Sequence, residues 1–169
     1  MFRSHKFFNG IKNEKLAVLA KLSKKTAFPS ETVVQRQGEA PKNMYFVTKG
    51  SLKTLRKVIP NEVEYNFNLK TNYPQMWKKL KSEIIFECGV IQEGDCFSEY
   101  EVMTSNAYQN SCLTLVPTEL FYFTIYDLML CIDISDINTL KENIDTMTTD
   151  FELLEFHLKN ITWDNYKSA

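Results

Sequence analysis

The sequence is poor in the groups from which most reactive sites are built. It has two histidines, His5 and His157, and four cysteines, Cys88, Cys96, Cys112 and Cys131, with no C-x-x-C pair. That excludes a structural zinc site, which needs four clustered ligands. There is no Walker-type loop and no nucleophile–base set, so the residues point away from an enzyme and imply no cofactor. No run of 18 apolar residues occurs, so no membrane-spanning helix is expected. The basic start, MFRSHKFFNGIKNEK, lacks the apolar core of a secretory signal and reads as part of the fold. Neither sign of charge dominates: Lys and Arg number 20 against 21 Asp and Glu. No global field draws in nucleic acid or a membrane surface, and such binding would need a local patch. Cys88, Cys96 and Cys112 lie in apolar or alternating stretches and are expected to be buried thiols in a reducing, cytoplasmic setting.

What is present is enough for one domain with a sizeable core: 169 residues, 44% of them hydrophobic, with 12 Phe and 8 Tyr. Leu16, Leu19, Ala20 and Leu22 recur at helical spacing, predicting a helix over about 13–23 with its lysines in solvent. The period then changes. TVVQRQGE reads as a strand and turn, and MYFVTKGSLKTLRKV as two strands broken at Lys49-Gly50. NEVEYNFNL alternates Val63, Tyr65, Phe67 and Leu69 against polar residues and predicts another strand. EIIFECGVI adds one more, and SCLTLVPTELFYFTI two, around Pro117-Thr118. YDLMLCI predicts a short helix. Ile137, Leu140, Ile144, Met147, Phe151, Leu154 and Leu158 then predict one long amphipathic helix, or two meeting near Thr148-Thr149. The fold class is α+β: an antiparallel β-roll, a jelly-roll-like barrel, flanked by an N-terminal helix and C-terminal helices. The expected organisation is a single domain over 1–169, with a helical segment at 1–28, the β-roll at 29–125 and helices at 126–169.

One segment breaks the run of strands. In KTNYPQMWKKLKSE, at about 70–83, Met76, Trp77, Leu80 and Ile84 form an apolar stripe beside Lys78, Lys79 and Lys81. Either the stripe packs on its own barrel, or Met76 and Trp77 anchor a protein partner whose acidic surface meets the three lysines.

The order of these pieces resembles the cyclic-nucleotide-binding domain family, over nearly the whole chain. FFNGIKNEKLAVLAKL is similar to the family's first helix. ETVVQRQGEAPKNMYFVTKGSLKTL is similar to its first strands, with a turn at Gln37-Gly38-Glu39 and the strand-opening Gly50. IQEGDCFSE resembles the G-D-x-F-G-E start of the phosphate cassette, through Gly94, Asp95, Phe97 and Glu99. TELFYFTIYDLML resembles the last strand and the helix after it.

The resemblance implies a phosphate pocket: backbone N–H groups at a helix start, a Gly for close approach, a Glu on the ribose hydroxyl and an Arg on the phosphate. Here the Gly position holds Ser98, and the next two after Glu99 hold Tyr100 and Glu101. The Arg position falls on Asn110, or on Gln109 or Ser111 after a shift of one; none is a cation. Losing a charge-assisted bond costs about 1.5–3 kcal/mol. A Glu101 carboxylate ~5 Å from a phosphate would repel it by roughly 3 kcal/mol at an effective dielectric of ~20. Lys53, Arg56 or another distant cation folding inward is the remaining source of positive charge. Glu99 either serves a ligand or fixes its own turn by accepting backbone N–H bonds. The expectation is therefore a non-catalytic module with a degraded cassette, built from Ser98, Glu99, Tyr100, Glu101, Asn110 and Ser111. It would act through protein partners in a larger assembly, with a ciliary or cytoskeletal address implied by analogy. The alternative is a regulatory sensor that still takes a cyclic nucleotide or a nucleoside-like ligand. The close, FHLKNITWDNYKSA, offers no helix-turn-helix for DNA; it is either an ordinary helical tail or, in its weak echo of HKFFNGIKNEKLA, a sign of a tandem repeat.

Overall fold

The computed structural model describes residues 2–168. The chain divides into two compact units: one runs through Leu55 and adds Glu87–Asp145, the other is Arg56–Phe86 with the chain from Thr146 onward.

In the first unit, helix α1 (Asn13–Leu22) is followed by strands β1 (Lys24–Phe28), β2 (Val33–Gln35) and β3 (Asn43–Lys49) and by the start of β4 (Leu52–Val58). The chain re-enters this unit within β5 (Ile84–Ile91), then forms β6 (Cys96–Phe97) and a short helix at Glu99–Thr104. Strands follow at Ser111–Thr114 and Thr118–Thr124, and helices at Ile125–Cys131 and Ile134–Glu142. In chain order the second unit contributes α2 (Asn66–Asn72) and α3 (Pro74–Lys78), so the helices just named are α4, α5 and α6, and the strands β7 and β8. Asp150–Ser168, also in the second unit, is α7. The strands make two four-stranded antiparallel sheets, β1-β8-β3-β6 and β2-β7-β4-β5, forming an open β-roll.

The roll's interior is set by alternation. Tyr45, Val47, Leu52, Ile91, Phe97, Cys112 and Leu120 pack together, with the Tyr45 and Phe97 rings stacked at 4.9 Å. β3 and β8 pair from Asn43–Thr124 to Lys49–Glu119, with a bulge after Val47. Gly50 makes the turn into β4 with φ +93°, and a Cβ there would lie 2.6 Å from the Pro117 carbonyl, so only glycine fits. A second cluster joins Phe2, Phe7 and Phe8 to Phe46 and Phe123, with Leu16 and Leu19 of α1 and Leu128 and Leu140 of α5 and α6. The basic N-terminus is thus held by its aromatics. Reciprocal caps at Thr124–Asp127 and Asp133–Asp136 start α5 and α6. Lys15 of α1 adds ion pairs to Asp133, at 3.3 Å, and to Asp136.

The second unit has its own core: Val58, Val63, Leu69, Leu154 and Leu158, with Met76, Trp77, Leu80, Ile84 and Phe86 packed against it. Another reciprocal cap, Thr149–Glu152, opens α7. The apolar series from Ile137 to Leu158 is therefore two helices, with residues 143–149 between them.

Three expectations are corrected here. NEVEYNFNL is not a strand. Pro60–Glu62 is a 3-10 turn, Tyr65 adopts a left-handed conformation (φ 61°) and α2 begins at Asn66. The Asn66 amide donates to the Pro60 and Asn61 carbonyls, at 3.4 and 3.2 Å, and closes that turn. Only Val63 and Leu69 are buried, while Tyr65 and Phe67 face solvent. The break in the strands is thus longer than 70–83. Cys88 is exposed, because its strand ends a sheet; Cys96 and Cys112 are buried as expected. Lys24–Phe28, expected within a helical segment, is strand β1 paired along β8.

Candidate functional site

The cassette-like stretch lies in the first unit, running from β6 through α4 to β7. Phe97 is fixed in the roll by its stack on Tyr45. Ser98 then turns the chain with φ 71° and ψ 14°, the left-handed conformation that glycine adopts without cost. Its carbonyl accepts from Val102 N at 3.1 Å, starting α4. Its hydroxyl, 7% exposed with the rest of the residue, donates to the Gln35 side-chain oxygen. Gln35, 5% exposed, donates from Nε2 to the Asn110 carbonyl at 3.1 Å. One buried glutamine of β2 thereby ties the start of the cassette to its end.

The carboxylates divide their work. Glu101 is 4% exposed and accepts from the Gln109 backbone N–H at 3.1 Å, closing the loop across α4. Glu99 is half-buried, and burial pushes its carboxyl up to about 7. Its own backbone amide works against that rise; Glu101, Asp145 and Asp95 add to it. The groups that shift Glu99 are carboxylates and an amide, with no cation among them. The same field reaches β7, where burial, then Glu101 and Glu99, raise the Cys112 thiol. Tyr100 is half-buried, its hydroxyl accepting from the Asn106 amide at 3.4 Å. The Ser111 hydroxyl accepts from Gln37 N at 2.9 Å.

The two distant cations are engaged elsewhere. Lys53 pairs with Glu87 at 3.2 Å. Arg56, in the second unit and 4% exposed, donates to the Thr148 carbonyl and to Asp150 at 3.4 Å.

Two residues were missed from the sequence. Gln35 sits in a stretch read as strand-into-turn, and its inward direction follows from a bulge between Val33 and Gln35 that leaves no mark in composition. Tyr108 carried a signal, as a single aromatic in a polar loop. It is buried, its hydroxyl accepting from Lys42 N at 3.0 Å and Asn43 N at 3.2 Å, and its backbone pairs with Gly38 and Glu39.

The structure brings Ser98, Glu99, Tyr100, Glu101, Gln109, Asn110 and Ser111 into one loop system. Met76, Trp77, Lys78, Lys79 and Lys81 lie in the second unit. There Met76 and Trp77 are half-buried on the Leu69–Leu158 cluster, the Lys70 ammonium sits 5.3 Å from the Trp77 ring centre, and Lys78, Lys79 and Lys81 are exposed.

The roll, the cassette turn with Glu99 behind it and the flanking helices define a cyclic-nucleotide-binding fold. The chain is similar to the catabolite activator protein of Thermus thermophilus, with a TM-score of 0.58 and 14% identity, over 95% of this chain and 61% of that one. It is similar to the sensor domain of the transcriptional regulator DNR from Pseudomonas aeruginosa, with a TM-score of 0.56 and 22% identity, over 83% and 79%. It is also similar to the regulatory domain of Toxoplasma gondii PKA, solved with cAMP, with a TM-score of 0.60 and 14% identity, over 80% and 44%. The chain therefore spans less than two thirds of the first and third of these proteins. No protein-family model and no curated protein matches the sequence. No helix among the described residues is long and apolar enough to cross a membrane, and no group of three or more His, Cys, Asp or Glu among them is placed to hold a metal.

Proposed function

We propose that this chain is a non-catalytic module of the cyclic-nucleotide-binding fold whose cassette no longer serves an anion, and that it works as an interaction or structural subunit of a larger assembly. The observation that carries this reading is the hydrogen-bond bridge Ser98–Gln35–Asn110. Through Gln35 it ties the hydroxyl at the Gly position to the backbone carbonyl at the expected Arg position, which itself carries no cation. The Glu99 carboxyl in the same cassette is raised by burial and then further by neighbouring carboxylates. An arriving cyclic phosphate would meet carboxylates, and no cation at the expected Arg position. The partner surface in this reading is α3 and the turn after it, with Lys78, Lys79 and Lys81 exposed to an acidic protein beside Met76 and Trp77.

A second reading rests on Glu99 alone. A carboxyl titrating near 7 is partly neutral at neutral pH and accepts or donates a hydrogen bond without needing a cation, which suits a neutral nucleoside-like ligand.

Isothermal titration with cyclic AMP, cyclic GMP and adenosine separates the two. No heat from any of the three is expected. Micromolar binding of a cyclic nucleotide would overturn the first reading, and adenosine binding alone would favour the second. Ser98→Gly with Asn110→Arg restores the flexible turn and the cation while leaving the Glu101–Gln109 bond in place. This pair is expected to gain measurable cyclic-nucleotide affinity.

A further inference from the structure

The stretch NEVEYNFNL leaves two aromatic rings in solvent. Tyr65 is 79% and Phe67 73% exposed, and neither belongs to the Leu69–Leu158 cluster. Folded structure holds them there. The Asn66 amide clasps the Pro60 and Asn61 carbonyls, Tyr65 adopts the left-handed conformation, and Leu69 of the same helix is fully buried. An aromatic ring on an ordered element loses little freedom when a partner covers it. Exposed cations adjoin these rings. Lys70 lies one helical turn after Phe67, on the same side of α2, and its ammonium sits 5.3 Å from the Trp77 ring centre. Lys78, Lys79 and Lys81 follow that ring along the chain, and all four lysines are exposed. From Tyr65 to Ser82 the chain has these four lysines and no Asp or Glu. Glu62 and Glu64 come before the left-handed turn, and Glu83 pairs with Lys57 at 3.7 Å. The second unit holds the whole surface.

Its chemistry calls for a partner that is acidic and apolar at once. The two rings need apolar side chains against them, and the ammonium groups need carboxylates. A lipid surface fits less well. α2 and α3 have seven and five residues, too short to present the broad apolar face that lies in a bilayer interface, and Met76, Trp77 and Leu80 pack on the unit's own cluster. We infer that an acidic protein segment carrying apolar side chains docks on this surface, with Tyr65 and Phe67 as its anchors. The inference rests on the proposed acidic partner at Lys78, Lys79 and Lys81 and extends that site onto α2.

The test follows amide NMR spectra of the full chain against defined probes: an acidic peptide with interspersed leucines, the same peptide with serine for each leucine, and phosphatidylserine vesicles. The leucine peptide is expected to bind about ten-fold more tightly than the serine peptide, with the shifted amides falling between Tyr65 and Lys81. In the Tyr65→Ala, Phe67→Ala pair its affinity is expected to fall about ten-fold, to that of the serine peptide, with the melting temperature unchanged. Equal affinity of the parent chain for both peptides, or unchanged affinity in the pair, overturns the anchors and leaves the lysine reading standing. Leucine-peptide binding that survives Lys78→Glu, Lys79→Glu, Lys81→Glu overturns the lysine reading itself. Vesicle binding that needs Tyr65 and Phe67, with neither peptide bound, gives the surface to lipid and overturns the inference, as does a chain that binds none of the probes. Should the alanine pair fail to fold, the comparison of the two peptides on the parent chain decides.

Discussion

At the residue scale, Ser98 sets two effects against each other. A non-glycine residue in the left-handed conformation costs roughly 1–2 kcal/mol, and its hydroxyl supplies the Gln35 bond, the loss of which costs about 1–3 kcal/mol when a buried acceptor is left alone. Ser98→Ala keeps the strain and loses the bond, while Ser98→Gly loses both. The glycine variant is expected to melt above the alanine variant and near the parent, in urea or thermal unfolding followed by circular dichroism. An alanine variant as stable as glycine would show that the turn is not strained. Glu99 makes a pH prediction. Its folded carboxyl titrates near 7 against an ordinary 4.5, so the folded chain holds a proton that the unfolded chain releases. Its effect is nil below about pH 4.5, and stability is lost as pH rises from there to about 7. Glu99→Gln is expected to be more stabilising at pH 8 than at pH 5 in paired urea titrations. His5 runs the other way. Burial holds its imidazole below the usual value, outweighing Asp95 and Asp145, which raise it, so its contribution to stability is lost as pH falls below 6.5. An equal gain for Glu99→Gln at both pH values would remove the idea that this carboxyl is held protonated.

At the element scale, what could be read from the sequence was what local pattern controls. The α1 stripe at Leu16 and Leu19, the β3–β4 turn at Gly50 and the β7–β8 corner at Pro117-Thr118 each follow from spacing or backbone freedom, and each was placed correctly. The cassette turn was legible too, through Gly94, Asp95, Phe97 and Glu99. The Gln35 bridge was not, because a bulge sets its direction. NEVEYNFNL misled because its period of two is genuine, but its burial is decided by residues remote in sequence, Leu154 and Leu158, which take Val63 and Leu69 and leave Tyr65 and Phe67 outside. Trp77 belongs to that same cluster. Trp77→Ala is expected to cost about 1–3 kcal/mol, short of the roughly 3–5 kcal/mol for a fully buried tryptophan, since the ring is only half-buried. The triple change Lys78→Glu, Lys79→Glu, Lys81→Glu is expected to leave the melting temperature within about a degree, as exposed charges do, and to abolish capture of an acidic partner. Unchanged stability in Trp77→Ala would mean that its ring is held for a partner rather than for the cluster.

At the scale of the whole molecule, the fold and the chemistry of the cassette point in different directions, and a ligand-linked stability measurement tells which one governs. Fold alone transfers no ligand: the neighbours are at most 22% identical among those named, and one of them was solved with cAMP. Were cyclic AMP to bind with a dissociation constant near 10 µM, 1 mM of it would stabilise the chain by about 2.7 kcal/mol. For a chain of this size that corresponds to a rise in melting temperature of roughly 5–11 °C, far outside the scatter of a thermal-shift assay. The expected shift is below about one degree, because the expected Arg position carries no cation and the carboxylates around Glu99 oppose a phosphate. The control is the Ser98→Gly, Asn110→Arg pair, in which the same concentration is expected to raise the melting temperature by several degrees. A rise in the parent chain equal to that in the pair would show that backbone N–H groups alone hold the phosphate, and that the cation was dispensable from the start.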